Sequence, residues 1–134
     1  MKTPVSLTKQ LAIFLENRPG MLAEVCEALA QAGLNILAVS TSDTVDHTVI
    51  RMVVDNPRKA LLLFEERGTL VVDDEVLMVE ASNEPGVLAR LARQLCRGKV
   101  NIEYCYCASS PGARQGLLVF RVSNPAKALK LLRG

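Results

Sequence analysis

Asn17-Arg18-Pro19-Gly20-Met21-Leu22-Ala23 returns sixty-six residues later as Asn83-Glu84-Pro85-Gly86-Val87-Leu88-Ala89. Working outward from this stretch, Leu11 answers Leu77, Leu29 answers Leu95, and Asn35-Ile36 answers Asn101-Ile102. Further on the offset becomes sixty-eight, and Val54-Asp55-Asn56-Pro57 is matched by Val122-Ser123-Asn124-Pro125. A two-residue insertion in a connecting loop accounts for the slip. Two copies of one supersecondary unit are too few and too long for a solenoid, so they read as tandem small domains related by a pseudo-two-fold. The repeat places a first domain over residues 1–72 and a second over 73–134.

Periodicity supplies the elements of each copy. Leu11, Ile13 and Leu15 alternate with Ala12, Phe14 and Glu16, the period of a strand with one buried face. After Pro19 the spacing changes: Leu22, Val25, Cys26 and Leu29 form one stripe, with Glu24, Glu27 and Gln31 opposite. This predicts a helix with proline near its first turn and Gly33 past its end. Strands are predicted over 35–41 and 48–54, then a helix capped by Asn56 and running to Arg67, then a short strand over 69–72. The second copy predicts strands over 75–81, 100–107 and 115–122 with helices over 85–97 and 125–132. No fourth strand follows there, so residues 3–7 or another subunit are expected to cover the unfilled edge. Two βαββαβ units with antiparallel sheets give an α+β class of tandem ferredoxin-like domains, the second lacking its own last strand.

Composition narrows the function. Apolar residues make up 49% of the 134, enough for a globular core, and no linker rich in Pro, Gly or Ser separates the halves. Each half is small enough that its core alone is only marginally stable, so the halves are expected to pack together. A net charge of +2 without a block of like charge argues against nucleic-acid or membrane-surface binding. The opening residues lack the apolar core of a secretory signal and no apolar run is long enough to span a bilayer, so a cytoplasmic location is expected. Cys26, Cys96, Cys105 and Cys107 include no Cys-x-x-Cys pair, and one histidine accompanies them. They are expected to be reduced packing groups, with no metal and no cofactor. His47, between acidic neighbours in a hairpin loop, reads as an exposed turn residue. Tyr104 and Tyr106 are expected to fill the core under the helices.

The duplicated Asn-x-Pro-Gly turn has two readings. As structure it starts a helix: asparagine accepts a backbone hydrogen bond, proline presets φ, and glycine permits a tight approach. As a site, the open N–H groups of the first helical turn and the helix dipole would receive a carboxylate, with glycine letting a ligand touch the main chain. Glu24 and Glu27 on the first helix correspond to Arg90 and Arg93 on the third; these faces read either as a pair packed within the chain or as two solvated helix faces.

The stretch Phe14 to Val25 with Ala32-Gly33-Leu34-Asn35-Ile36 resembles the opening of an ACT domain, the regulatory module that binds amino acids in many metabolic enzymes. Asn83 to Leu91 with Val100-Asn101-Ile102 is similar to the same opening. The resemblance covers nearly the whole chain. It is nearest to stand-alone bacterial proteins of two ACT domains, which are similar to the regulatory subunit of acetolactate synthase, whose effectors are branched-chain amino acids. It implies a ligand at an interface between two ACT domains, contacting Asn17, Arg18, Pro19, Gly20, Met21 and Leu22, and in the second copy Asn83, Glu84, Pro85, Gly86, Val87 and Leu88. The change from Arg18 to Glu84 makes the two positions chemically unequal.

The reading is therefore a non-catalytic sensor of a small amino acid, branched-chain favoured, that acts on a metabolic enzyme and forms a homodimer. The alternative is a regulatory or structural subunit working by protein contact with no ligand. An enzyme ranks third, because no paired acid and base, nucleophile triad or phosphate loop is present. RNA binding ranks last, with five aromatic residues and no tryptophan.

Overall fold

The computed structural model describes residues 4–133. Its elements are β1 (Val5–Glu16), α1 (Met21–Gln31), β2 (Ile36–Asp43), β3 (His47–Val54), α2 (Pro57–Glu66), β4 (Leu70–Ser82), α3 (Val87–Arg97), β5 (Ile102–Ala108), β6 (Gln115–Val122) and α4 (Pro125–Arg133). Each copy is thus the anticipated α+β unit. The chain divides into two compact units: residues 9–74, and the described residues up to Thr8 together with those from Glu75 onward. The repeat alone had placed the first eight residues with the first copy.

In the unit of residues 9–74, β1 pairs antiparallel with β3, and β3 with β2. Residues Leu11 and Ile13, one period of two apart, enter a core with Val25 and Leu29 of α1, Met52 of β3, and Phe64 of α2. All of these are nearly or wholly excluded from solvent. The opposite face of β1 is not simply polar, since Ala12 and Gln10 are buried too. Helix α2 begins as its sequence dictates: Asn56 Oδ1 accepts from Lys59 N at 3.2 Å, and Pro57 occupies the first turn, where its missing N–H costs nothing.

The other unit repeats the pattern. β4 pairs with β6 and β6 with β5, all antiparallel. Leu77, Val79, Leu91, Leu95, Phe120 and Ala128 are core members. Asn124 Oδ1 accepts from Lys127 N at 3.1 Å, reproducing the Asn56 cap. The loop before each second helix is reproduced as well. Asn35 N donates to Asp55 Oδ1 at 3.1 Å, and Asn101 N to Ser123 Oγ at 3.0 Å.

Two departures from the sequence reading concern strands. The short strand expected at 69–72 and the strand expected at 75–81 are one continuous β4 of 13 residues. Val72-Asp73-Asp74 carries no Gly or Pro to stop it, and the acidic pair is accommodated within the strand. The open edge of the second sheet is covered from within the chain: Glu80 N donates to Pro4 O at 3.0 Å, and Val5 joins the core of that unit. Leu7 packs against the same core, and Arg133 Nη2 reaches Val5 O at 3.4 Å. Thr3, at the start of the expected covering segment, lies outside the described residues.

Candidate functional site

The two Asn-x-Pro-Gly turns fold alike, though not as helix caps made by asparagine. Gly20 (φ 89°, ψ −10°) and Gly86 (φ 90°, ψ −7°) are the N-cap residues of α1 and α3, and neither helix has a side-chain cap. The prolines therefore precede the cap instead of occupying the first helical turn. The asparagines donate. Asn17 Nδ2 gives a hydrogen bond to Thr44 O at 3.1 Å and Asn83 Nδ2 one to Ala113 O at 2.9 Å. Their main-chain N–H groups reach Asp46 O at 3.2 Å and Arg114 O at 2.8 Å. Each asparagine thus fastens its turn to the hairpin loop of its own unit.

This arrangement leaves the helix starts open. Glu24 N and Arg90 N bond to Gly20 O and Gly86 O at 3.0 and 2.9 Å, which are the first intrahelical bonds. Among the described residues the N–H groups of Gly20, Met21 and Leu22 meet no protein acceptor; in the second copy Val87 N has a long bond to Glu84 O at 3.4 Å, and Gly86 and Leu88 meet none. Unfilled donors plus the positive end of a helix are the chemistry that suits an anionic group. A Cβ on either glycine would meet nothing within 4 Å, so only φ demands glycine there. Gly20→Ala and Gly86→Ala are each expected to cost about 1–2 kcal/mol of stability through backbone strain alone, measured by urea denaturation.

Electrostatics separates the two turns as the sequence anticipated. Arg18 is drawn back to its own strand, Nε lying 3.2 Å from Glu16 Oε2 with both side chains largely exposed. Such a pair contributes about 0–1 kcal/mol, so Arg18→Ala should leave stability within that range in the same denaturation assay. Glu84 has no ion-pair partner among the described residues.

The surroundings differ too. In the second copy a cavity of about 110 Å³ is walled by Ser82, Asn83, Glu84, Val87, Leu88 and Cys107, with Ala81, Ser109, Gly116 and Leu118 completing it. Four of the six residues anticipated there line it; Pro85 and Gly86 do not. In the first copy a cavity of about 80 Å³ is lined by Met21 alone of the six, together with Leu15, Glu24, Val25, Phe64, Arg67 and Thr69. Asn17, Arg18, Pro19 and Gly20 are exposed, and Leu22 is 47% exposed. Cys107, Ser109 and Gly116 escaped the sequence reading because they come from the β5–β6 hairpin, where the repeat carries its insertion. A Cβ on Gly116 would crowd Ser109 Oγ, so the serine side chain would have to turn away.

Other sequence expectations are revised. Cys96, Cys105 and Cys107 are exposed and Cys26 half-buried, so three of the four thiols are not packing groups. Tyr104 and Tyr106 stand opposite Arg121 and Val119, on the sheet face away from the core of Leu118, Phe120 and Val122, because an irregularity between Ile102 and Tyr104 shifts the alternation; they are half-buried there and do not fill the core under the helices. His47 is an exposed residue opening β3. The side chains of Glu24, Glu27, Arg90 and Arg93 are exposed. The Cys105 thiol is pushed up from its ordinary pKa, first by burial and second by the charge of Cys107. Its alkylation by iodoacetamide should therefore have a pH midpoint above that of a free thiol, moving down in Cys107→Ser. No described helix is long and apolar enough to cross a membrane.

Comparison with known proteins gives consistent findings. The family described as ACT domain pair matches residues 6–133. A crystal structure of a protein from Bacteroides thetaiotaomicron is 33% identical, with a TM-score of 0.88, over 96% of this chain and 88% of that one. The ligand-free regulatory subunit of aspartate kinase from Thermus thermophilus superposes with a TM-score of 0.71 at 19% identity, over 96% and 93% of the two chains. The corresponding subunit from Thermus flavus gives 0.64 at 21%, over 98% and 95%. No curated protein matches the chain.

Proposed function

This chain belongs to the ACT domain pair family, and from that premise we propose that it is a non-catalytic regulatory protein that binds a small amino acid, with branched-chain side chains favoured. The observation that carries the reading is the duplicated helix start, with glycine at φ 89° and 90° and first-turn N–H groups left open in both copies. A zwitterion matches this chemistry. Its carboxylate meets the N–H groups of Gly20 to Leu22 or Gly86 to Leu88. Its ammonium meets an asparagine or main-chain oxygen, and in the second copy the Glu84 carboxylate.

The aliphatic preference is supported by the apolar part of the second cavity's lining, Ala81, Val87, Leu88 and Leu118, which shares the wall with polar Ser82, Asn83 and Ser109. The ligand is taken to sit at a seam between two ACT domains, those of a homodimer included. Binding would favour one domain arrangement by its differential affinity, and only that difference can reach a partner. The fold likeness to regulatory subunits of aspartate kinase supports an enzyme as the partner, and a cytoplasmic location is part of the same proposal.

Isothermal titration of the folded chain with each of the twenty amino acids tests this. Heat is expected with one or more of valine, leucine and isoleucine, lost or weakened about tenfold in Gly20→Ala or Gly86→Ala, equivalent to roughly 1.4 kcal/mol. Flat traces for all twenty would favour a subunit that works by protein contact alone.

A further inference from the structure

We propose that Cys105 and Cys107 form a two-thiolate site for a soft, two-coordinate cation of the monovalent copper class. Both residues lie on β5 two positions apart, so their side chains leave the same side of the strand with Cα atoms roughly 6.7 Å apart. They stand opposite Phe120 and Leu118 of β6, on the core-facing side of the sheet, yet at an edge where both remain exposed. Within its unit β5 is hydrogen-bonded to β6 and to no other strand among the described residues, so the outer flank of the pair is open.

The spacing discriminates between chemistries. A disulfide wants Cβ atoms about 3.8 Å apart and sulfurs about 2.05 Å apart, which a flat strand does not offer at positions i and i+2. An ion inserted between two sulfurs, with metal–sulfur bonds of about 2.3 Å, separates them by up to about 4.6 Å and closes the gap with ordinary rotamers. No group of three or more Cys, His, Asp or Glu among the described residues is placed to hold a metal, so a four-coordinate zinc site is not completed by this chain. Two soft ligands without a third suit a soft cation content with linear coordination.

The step balances without redox change. Two S–H bonds break, two S–Cu bonds form, two protons go to solvent, and copper stays monovalent. Because Cys107 also lines the cavity bounded by Glu84, Val87 and Leu88, the bound ion lies at the wall of that cavity. The metal site does not depend on amino-acid binding.

The test uses the full chain under anaerobic conditions, titrated with copper(I) against a chromogenic copper(I) chelator. Wild type should take up one copper per chain and lose two thiols reactive toward a disulfide reagent. Cys105→Ser and Cys107→Ser should each weaken uptake by more than about 100-fold, since losing a direct ligand exceeds the 10–100-fold typical of outer-shell changes. Cys26→Ser and Cys96→Ser should leave it unchanged. Circular dichroism establishes that the exposed serine variants remain folded. Uptake insensitive to Cys105 or Cys107, uptake abolished by Cys96→Ser, one copper per two chains, or zinc held more tightly than copper(I) would each overturn the proposal.

Discussion

A chain lacking residues 1–8 is expected to lose the fold of residues 75–133 while residues 9–74 keep theirs. Val5 is 8% exposed within the core built by Leu77, Leu91 and Phe120, and Leu7 packs on the same cluster. Full burial of such a side chain contributes about 1.5–3 kcal/mol, so Val5 and the partly buried Leu7 together account for roughly 2–5 kcal/mol. Domain stability runs at about 0.05–0.15 kcal/mol per residue, which is on the order of 3–9 kcal/mol for a unit this small. The loss therefore approaches the whole. Truncation also removes the Pro4 O acceptor for Glu80 N and the Val5 O acceptor for Arg133, and bares the flank of β4. Hydrogen exchange read by peptide should show protection collapsing in 75–133 and persisting in 9–74. Equal loss in both segments would contradict the division at Thr8 and Glu75. Val5→Asp, which buries a carboxylate without a partner, should give the same pattern in the intact chain.

Phe64→Ala and Phe120→Ala are expected to cost about 3–5 kcal/mol each, in opposite places. Phe64 (1% exposed) belongs to the cluster of residues 9–74, and Phe120 (0%) to the other. The first variant should open peptides of 9–74 and the second those of 75–133, with denaturation midpoints falling in both. Phe120 lines neither turn cavity whereas Phe64 lines the smaller one, so only Phe64→Ala enlarges a cavity beside a turn. A variant losing less than about 1.5 kcal/mol would mean that the core relaxes into the void, contrary to the close packing inferred for both clusters.

The repeat made much of this architecture legible. Asn56-Pro57 and Asn124-Pro125 announce helix starts through local chemistry, and the structure shows the side-chain caps that chemistry requires. Period-two alternation at Leu11 and Ile13 placed the core face of β1, and Asn35 and Asn101 marked loops that fold alike. Non-local facts were hidden. Nothing in Val5-Ser6-Leu7 states that it will pair with β4 near Glu80, because strand pairing joins residues far apart in sequence. The merging of two expected strands into β4 follows from the absence of any breaker at 72–74.

At the turns the residue types were recognised and their roles were not. Asn17 and Asn83 belong to the types that cap helices, but the αL conformation of Gly20 and Gly86 sets the helix start beyond their reach and turns their amides toward hairpin carbonyls. Exposure of Cys105 and Cys107 follows from their place on an edge strand, which local composition does not reveal.

The most direct measurement is the change in backbone amide resonances of the isotopically labelled chain on titration with valine, leucine and isoleucine. Binding at the duplicated helix starts predicts saturable shifts centred on Gly20, Met21 and Leu22 or on Gly86, Val87 and Leu88, where main-chain N–H groups take up the ligand carboxylate. Saturable shifts confined to other segments, with those six amides unmoved, would show that the open helix starts are not the binding surface.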